Sequence, residues 1–281
     1  MLPAPAGDVV DRLLARLDRA LPGRIAGFYV VGSIGHGDFT PGRSDIDFIA
    51  VLDGPLAVDE TVALRALHRR ECGAVAVDSA VHRRWPLICN GSYLLAHDLT
   101  RSPAAVTPQA AHVGEHFAIA PSHGFDINPV TWHNLAHHGI ALRGPPAAEL
   151  AVHTDAGELH AYVLGNLESY WRRWIERARS RRHPLARLAP RRHATAGVLG
   201  APRLHYTLAT GRIAGKEQAG EYARYVFGER WQPIIDDALA FRRGRPALAP
   251  YRRHPRRRVD DAAAFVGRVI DAATARWGGS V

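Results

Sequence analysis

FYVVGSIGHGDFTPGRSDIDFIAVL, residues 28–52, is the stretch that decides the fold. Its two apolar runs, Phe28 to Val31 and Ile46 to Leu52, are rich in β-branched and aromatic residues and are separated by Gly, Pro, Ser and Asp. They are expected as neighbouring strands. The chemistry sits in the connection. Gly32-Ser33 closes the first strand, and Asp45-Ile46-Asp47 opens the second, where strand period puts both carboxylates on one face and Ile46 on the other. Two aligned carboxylates repel unless a cation lies between them. Hard oxygen ligands of this kind suit Mg²⁺, which takes one or two protein carboxylates and fills its other positions with water and substrate phosphates. The Gly-Ser turn supplies what a triphosphate needs, because glycine permits close backbone approach, the hydroxyl donates, and amides at a following helix start face an anion.

Either half alone carries little. Gly-Ser is a common turn, and an isolated Asp-x-Asp is more often a solvated loop or a helix cap. Together, on adjacent strands, they resemble the nucleotidyltransferase superfamily whose minimal domain also occurs in DNA polymerase β. More narrowly, GSIGHGDFTPGRSDIDFIAV is similar to the bacterial aminoglycoside adenylyltransferases of the streptomycin/spectinomycin type. The resemblance implies an α/β N-terminal nucleotidyltransferase domain, a mixed sheet flanked by helices, followed by an all-α helical bundle. It also implies ATP as nucleotide donor, Mg²⁺ on Asp45 and Asp47, and a triphosphate contact at Gly32 and Ser33.

Around this centre, Asp8 to Leu21 has apolar residues at helical spacing, and Asp59 caps a helix expected over 60–71 with Gly73 near its end. Leu87 to Leu95 is the expected third strand. In the resembled adenylyltransferases a Glu on this strand is the general base, and the alignment places Asn90 there, an amide that cannot accept a proton at neutral pH. If the register slips, Asp78 and Asp98 are the nearest acids; Asp98 also suits a cap. An edge strand is expected around Glu115 to Ile119, and a helix over Pro129 to Leu142. Histidines 112, 116 and 123 lack the spacing of a metal site and read as core or solvated groups. The domain boundary is placed near residue 150, giving a catalytic domain over 1–150 and a helical domain over 151–281 that closes the nucleotide and acceptor cleft.

In the second half, Glu158 to Ile175 carries a broad apolar stripe that includes Trp171 and Trp174. Core packing is the ordinary role for such tryptophans; the resemblance adds that an aromatic near this point can stack on substrate. Arg177 to His193 is densely basic and suits a solvated loop or an anion site. VLGAPRLHYTLATG, residues 198–211, followed by RIAGKEQAGEYA, is the second stretch of family resemblance, and there the lysine, Lys216 here, contacts the triphosphate. Without the motif, Lys216 would read as a surface lysine opposite Glu221. Pro202 should kink or start its helix. Amphipathic helices are expected over Trp231 to Phe241 and Asp260 to Trp277, with an arginine-rich loop from Arg242 to Arg258 between them.

With 281 residues and 47% apolar content the chain can bury two cores. It shows no leader and no apolar run long enough for a membrane span, and its two cysteines, Cys72 and Cys89, form no disulfide framework, so a cytoplasmic monomer is expected. The net charge of +9 is almost all arginine, and Lys216 is the single lysine. In the resembled enzymes an acidic residue just before the "vL..aR" run faces the cationic drug; His193 falls there, amid arginines. The chain thus keeps the expected metal and nucleotide residues while lacking the expected base and acceptor carboxylate. Three functions follow: AMP transfer from ATP to a hydroxyl of an unidentified small molecule, a nucleotide-binding pseudoenzyme or sensor, and a nucleic-acid nucleotidyltransferase suggested by the arginine loops.

Overall fold

The computed structural model describes residues 2–82, 87–121, 126–180 and 188–279, with the side chains of residues 79 and 82 excepted. The chain divides into two compact units, Met1–Asp155 and Ala156–Val281.

The first unit is a six-stranded mixed sheet in the order β5-β4-β3-β2-β1-β6. Its strands are β1 (Ile25–Val31), β2 (Ile46–Leu52), β3 (Cys89–Leu95), β4 (Ala110–Val113), β5 (His116–Ile119) and β6 (Ile140–Arg143). β1 and β2 are antiparallel, β2 and β3 parallel, and the remaining neighbours antiparallel. Near-continuous apolar runs in β1 and β2 make these central strands buried on both faces. On one face Phe28, Val30, Ile46, Phe48 and Ala50 pack under α1 (Ala6–Ala20) and α3 (Val58–His82). On the other Tyr29, Val31, Ile49 and Val51 pack against Trp132 and Leu135 of α4 (Pro129–His138). A four-residue turn of helix, α2 (Gly32–Gly35), follows β1 directly.

Two expected boundaries shift. The helix expected to close near Gly73 runs on to His82, because Ala74 to Val81 offers neither proline nor a cap, and an exposed glycine inside a helix costs only about 1 kcal/mol. The helix expected to reach Leu142 stops at His138. At Gly139 the backbone turns extended, a Cβ there would stand 2.6 Å from the Leu135 carbonyl oxygen, and Ile140–Arg143 becomes edge strand β6 instead. β5 is the other edge.

The second unit is helical among its described residues: α5 (Ala156–Asn166), a π-helical turn Leu167–Trp171, α6 (Arg172–Arg179), α7 (Pro190–Thr210), α8 (Lys216–Val226), α9 (Gln232–Arg242) and α10 (Pro255–Trp277). α10 forms its core, burying Val259, Phe265, Val266, Val269 and Ile270. Pro202 does not start a helix, since α7 begins twelve residues earlier at Pro190 and carries Pro202 buried in its interior. The arginine-rich loop is shorter than expected, because Arg242 ends α9 and Arg258 lies inside α10. Arg258 is buried and paired with buried Asp237 at 2.8 Å, and Asp237 also accepts from the Leu248 amide at 2.9 Å, which ties the loop to the core. No helix among the described residues is long and apolar enough to cross a membrane.

Candidate active site

β1 delivers Gly32-Ser33, and β2 delivers Asp47 with Asp45 just before it. The ladder pairs Val31 with Asp47 on one side and Asn90 with Asp47 on the other, so three neighbouring strands bring the loop, the carboxylate and the amide together. Ile46 between the carboxylates is fully buried under α1 and α3, and Asp47 points with Ile49 to the α4 face. Both aspartates remain half-exposed.

The loop lies against Asp47. Gly32 has φ +65°, and a Cβ on it would stand 2.3 Å from Asp47 Oδ2, so only glycine lets the loop approach the carboxylate this closely. Next to it, Ser33 Oγ is buried with no hydrogen-bond partner. A buried hydroxyl without a partner costs about 1–3 kcal/mol, and a phosphate oxygen would relieve it. His36 bonds the buried Asn134 side chain of α4 and packs at a tilt against His138 with ring centroids 4.3 Å apart, which anchors the far end of the turn.

Asn90 is fixed from both ends of its amide. Its Oδ1 accepts from the Gly114 N–H at 2.9 Å, and its Nδ2 faces Asp47 Oδ1 at 3.5 Å. The field of the carboxylates is felt behind the strand: burial first, then Asp47 and Asp45, push the Cys89 thiol up to about 12 against the opposing pull of Arg12. Cys89 is therefore an inert thiol.

Among the described residues no three histidine, cysteine or acidic side chains gather into a metal cluster. The donor set at β2 is thus two carboxylates, with a hydroxyl and a loop nearby, which fits Mg²⁺ brought with a triphosphate better than a cation held wholly by protein. The alternative acids stand elsewhere. Asp98 is buried past the far end of β3, capping Leu95 N at 2.9 Å; the five steps from Asn90 to Leu95 alone span about 16 Å. Asp78 is on α3, which packs on the opposite face of the sheet.

Lys216, Trp171, Trp174 and His193 belong to the second unit. Lys216 is the first residue of α8, half-exposed, where the helix start favours an anion. Glu221 is engaged by Arg243 at 2.7 Å and Arg224 at 3.0 Å. Trp171 and Trp174 are 9% and 5% exposed and occupy notches at Gly200 and Gly197 on α7, where any Cβ would stand 2.3 Å from a ring carbon. His193 is buried and stacked on Trp174 at 4.8 Å. These three side chains form packed core. Residues 181–187 of the basic run, and His123, lie outside the described residues.

Sequence reasoning missed Gly114 and the tie between His36 and Asn134. Gly114 had a signal: Gly114-Glu115 is a two-residue loop between the paired strands Val113 and His116, with φ +62° at the glycine. Nothing local announces the contact between His36 and Asn134, which are 98 residues apart.

The resemblance implies a phosphate contact at Lys216, and on that expectation Lys216→Ala weakens ATP binding far more than AMP or adenosine binding. A charge-assisted contact is worth about 1.5–3 kcal/mol, about tenfold or more in affinity. Calorimetric titration of the three ligands checks this, and an equal loss for all three would point to a folding defect.

Residues 10–77 match the nucleotidyltransferase domain family, and residues 186–269 match the aminoglycoside adenylyltransferase C-terminal domain family. No curated protein sequence matches the chain. Among solved structures, the spectinomycin adenyltransferase AAD(9) from Enterococcus faecialis, determined with ATP and spectinomycin, is similar in fold, with a TM-score of 0.64 at 13% identity over 94% of this chain and 98% of that one. The chain therefore has the two-domain build of the aminoglycoside adenylyltransferases within the nucleotidyltransferase superfamily, a mixed-sheet domain followed by a helical one.

Proposed function

We propose that the protein is a Mg²⁺-dependent nucleotidyltransferase that moves AMP from ATP to a hydroxyl of a small molecule. The observation that carries this reading is the Gly32-Ser33 loop laid against Asp47, with a buried, unpartnered Ser33 hydroxyl beside the carboxylates.

Asp45 and Asp47 would hold the cation, which would supply neutralising charge to the triphosphate during transfer. Gly32 lets the backbone close on the triphosphate, and Ser33 Oγ donates to a phosphate oxygen. By the family motif, Lys216 would contact phosphate as well. Asn90 holds Asp47 in place through Nδ2 and takes no proton itself. The acceptor hydroxyl then loses its proton without help from this strand, so transfer is slow unless the acceptor is acidic. The experiment is transfer from α-labelled ATP onto a mixed pool of cellular small molecules and antibiotics, read by mass spectrometry. Pyrophosphate release with a labelled product supports the reading; ATP binding without turnover would favour a nucleotide sensor.

The similar structure holds spectinomycin, a cation. In this chain the first turn of α7 is Pro190-Arg191-Arg192-His193 with no acidic residue. Streptomycin and spectinomycin are therefore expected to be poor acceptors. Robust adenylylation of either at micromolar concentration would refute that electrostatic argument.

A further inference from the structure

On the face of the sheet opposite Asp47, a pocket opens to solvent between α1, α3 and the start of β3. Its wall is mainly apolar, built from Val9 and Leu13 of α1, Val75 and Ala76 of α3, and Leu87 and Ile88 leading into β3.

The polar groups on that wall have defined states. His68 bonds the Tyr93 hydroxyl at 2.8 Å, and burial, with His112 adding, pulls it down to about 3; burial lowers His112 as well, so both imidazoles are neutral at pH 7. His112 donates Nδ1–H to the Cys89 carbonyl at 2.8 Å, which leaves Nε2 to accept from the Cys72 thiol at 3.2 Å. Glu71 is paired with Arg16. Glu115 stands exposed at the rim, near enough that its charge adds to burial in raising the Cys72 thiol. The cavity thus offers an apolar interior with one exposed carboxylate, Glu115, at its rim.

One wall residue belongs to both faces. Gly114 lines the cavity, its carbonyl lies 3.4 Å from Cys72 Sγ, and its N–H fixes Asn90 Oδ1 at 2.9 Å. Asn90 in turn faces Asp47 at 3.5 Å. A molecule pressing on the Gly114 turn acts on the amide that holds the carboxylate.

We propose that this cavity is a regulatory site for a small apolar amine, coupled to the nucleotide site through Gly114 and Asn90. The coupling, though not the binding, rests on the nucleotidyltransferase reading.

The probes are 1-naphthylmethylamine, the matching neutral alcohol and 1-naphthoic acid, titrated calorimetrically into the full chain. The amine binds, the alcohol binds about threefold or more weakly, and the acid binds least, since an exposed charge pair is worth up to about 1 kcal/mol. Val75→Trp fills the cavity and abolishes amine binding. Should that variant not fold, Glu115→Gln at the exposed turn decides, because it must erase the preference for amine over alcohol. Saturating amine weakens Mg-ATP binding by about fivefold or more, and saturating Mg-ATP weakens the amine by the same factor. In Asn90→Leu the amine still binds but that shift disappears. Equal amine binding by the wild type and Val75→Trp, or acid bound as tightly as amine, overturns the site; a shift that survives in Asn90→Leu overturns the coupling route. If the wild type binds no Mg-ATP, the nucleotide reading fails while the amine titrations still decide the cavity.

Discussion

Asp47→Asn lowers Mg²⁺-dependent ATP binding and transfer by about a thousandfold while leaving the fold in place. The loss follows from what the charge does. A metal held at a reacting phosphate supplies several kcal/mol of charge stabilisation, and about 4 kcal/mol is about a thousandfold in rate. The asparagine is nearly isosteric, so it still fills the space against Gly32 and still bonds Asn90, and removing one of two carboxylates that repel each other costs little stability. Asp45→Asn acts in the same direction through the same cation. Titration of Mg-ATP, the transfer rate and the unfolding temperature together check the claim. Unchanged Mg-ATP affinity in both variants would remove the metal role from β2.

Much of this site was legible because strand period is rigid. Asp45 and Asp47 share a face by alternation alone, and the chain between them and β1 is too short to take the loop elsewhere, so β1, the turn and β2 follow directly from residues 28–52. The parallel ladder places Asn90, the residue that the resemblance aligns with the base, directly beside Asp47. What the sequence did not carry is the direction of the amide. Gly114 N–H reaches Asn90 from a hairpin 24 residues later, and this long-range bond turns Nδ2 to Asp47 rather than to an incoming hydroxyl. The extension of α3 and the change of Ile140–Arg143 from helix to strand failed for a related reason. Propensity at Gly73 and Gly139 is ambiguous, and it is the close approach to the Leu135 carbonyl that glycine permits at 139, with an open edge on β1, that decides between helix and strand. The tryptophans show the converse case. Their helical spacing is visible in sequence, but only the glycine notches on α7 show that the rings are core.

Asn90→Glu raises hydroxyl transfer by at least tenfold. The resemblance implies a base at position 90, beside Asp47, yet the Asn90 oxygen is committed to Gly114 and its nitrogen is a donor. A glutamate is one methylene longer, so one carboxylate oxygen can reach toward the acceptor while the other keeps the Gly114 N–H satisfied. Positioned general bases contribute about 10²–10⁴-fold, and a base not tuned by its surroundings should supply the lower part of that range. The new carboxylate must be ionised to act. Its like charge with Asp47 and its burial raise its pKa, and bound cation lowers it, so the gain is present above that pKa and is lost as pH falls through it. Asn90→Gln, with the same length and no charge, separates chemistry from geometry and should show no gain and no new pH dependence. The pH profile of kcat for the three proteins is the measurement. If Asn90→Glu leaves transfer unchanged while Asp78→Asn or Asp98→Asn destroys it, the proton is taken at one of those aspartates, and the strand register beside Asp47 does not locate the base.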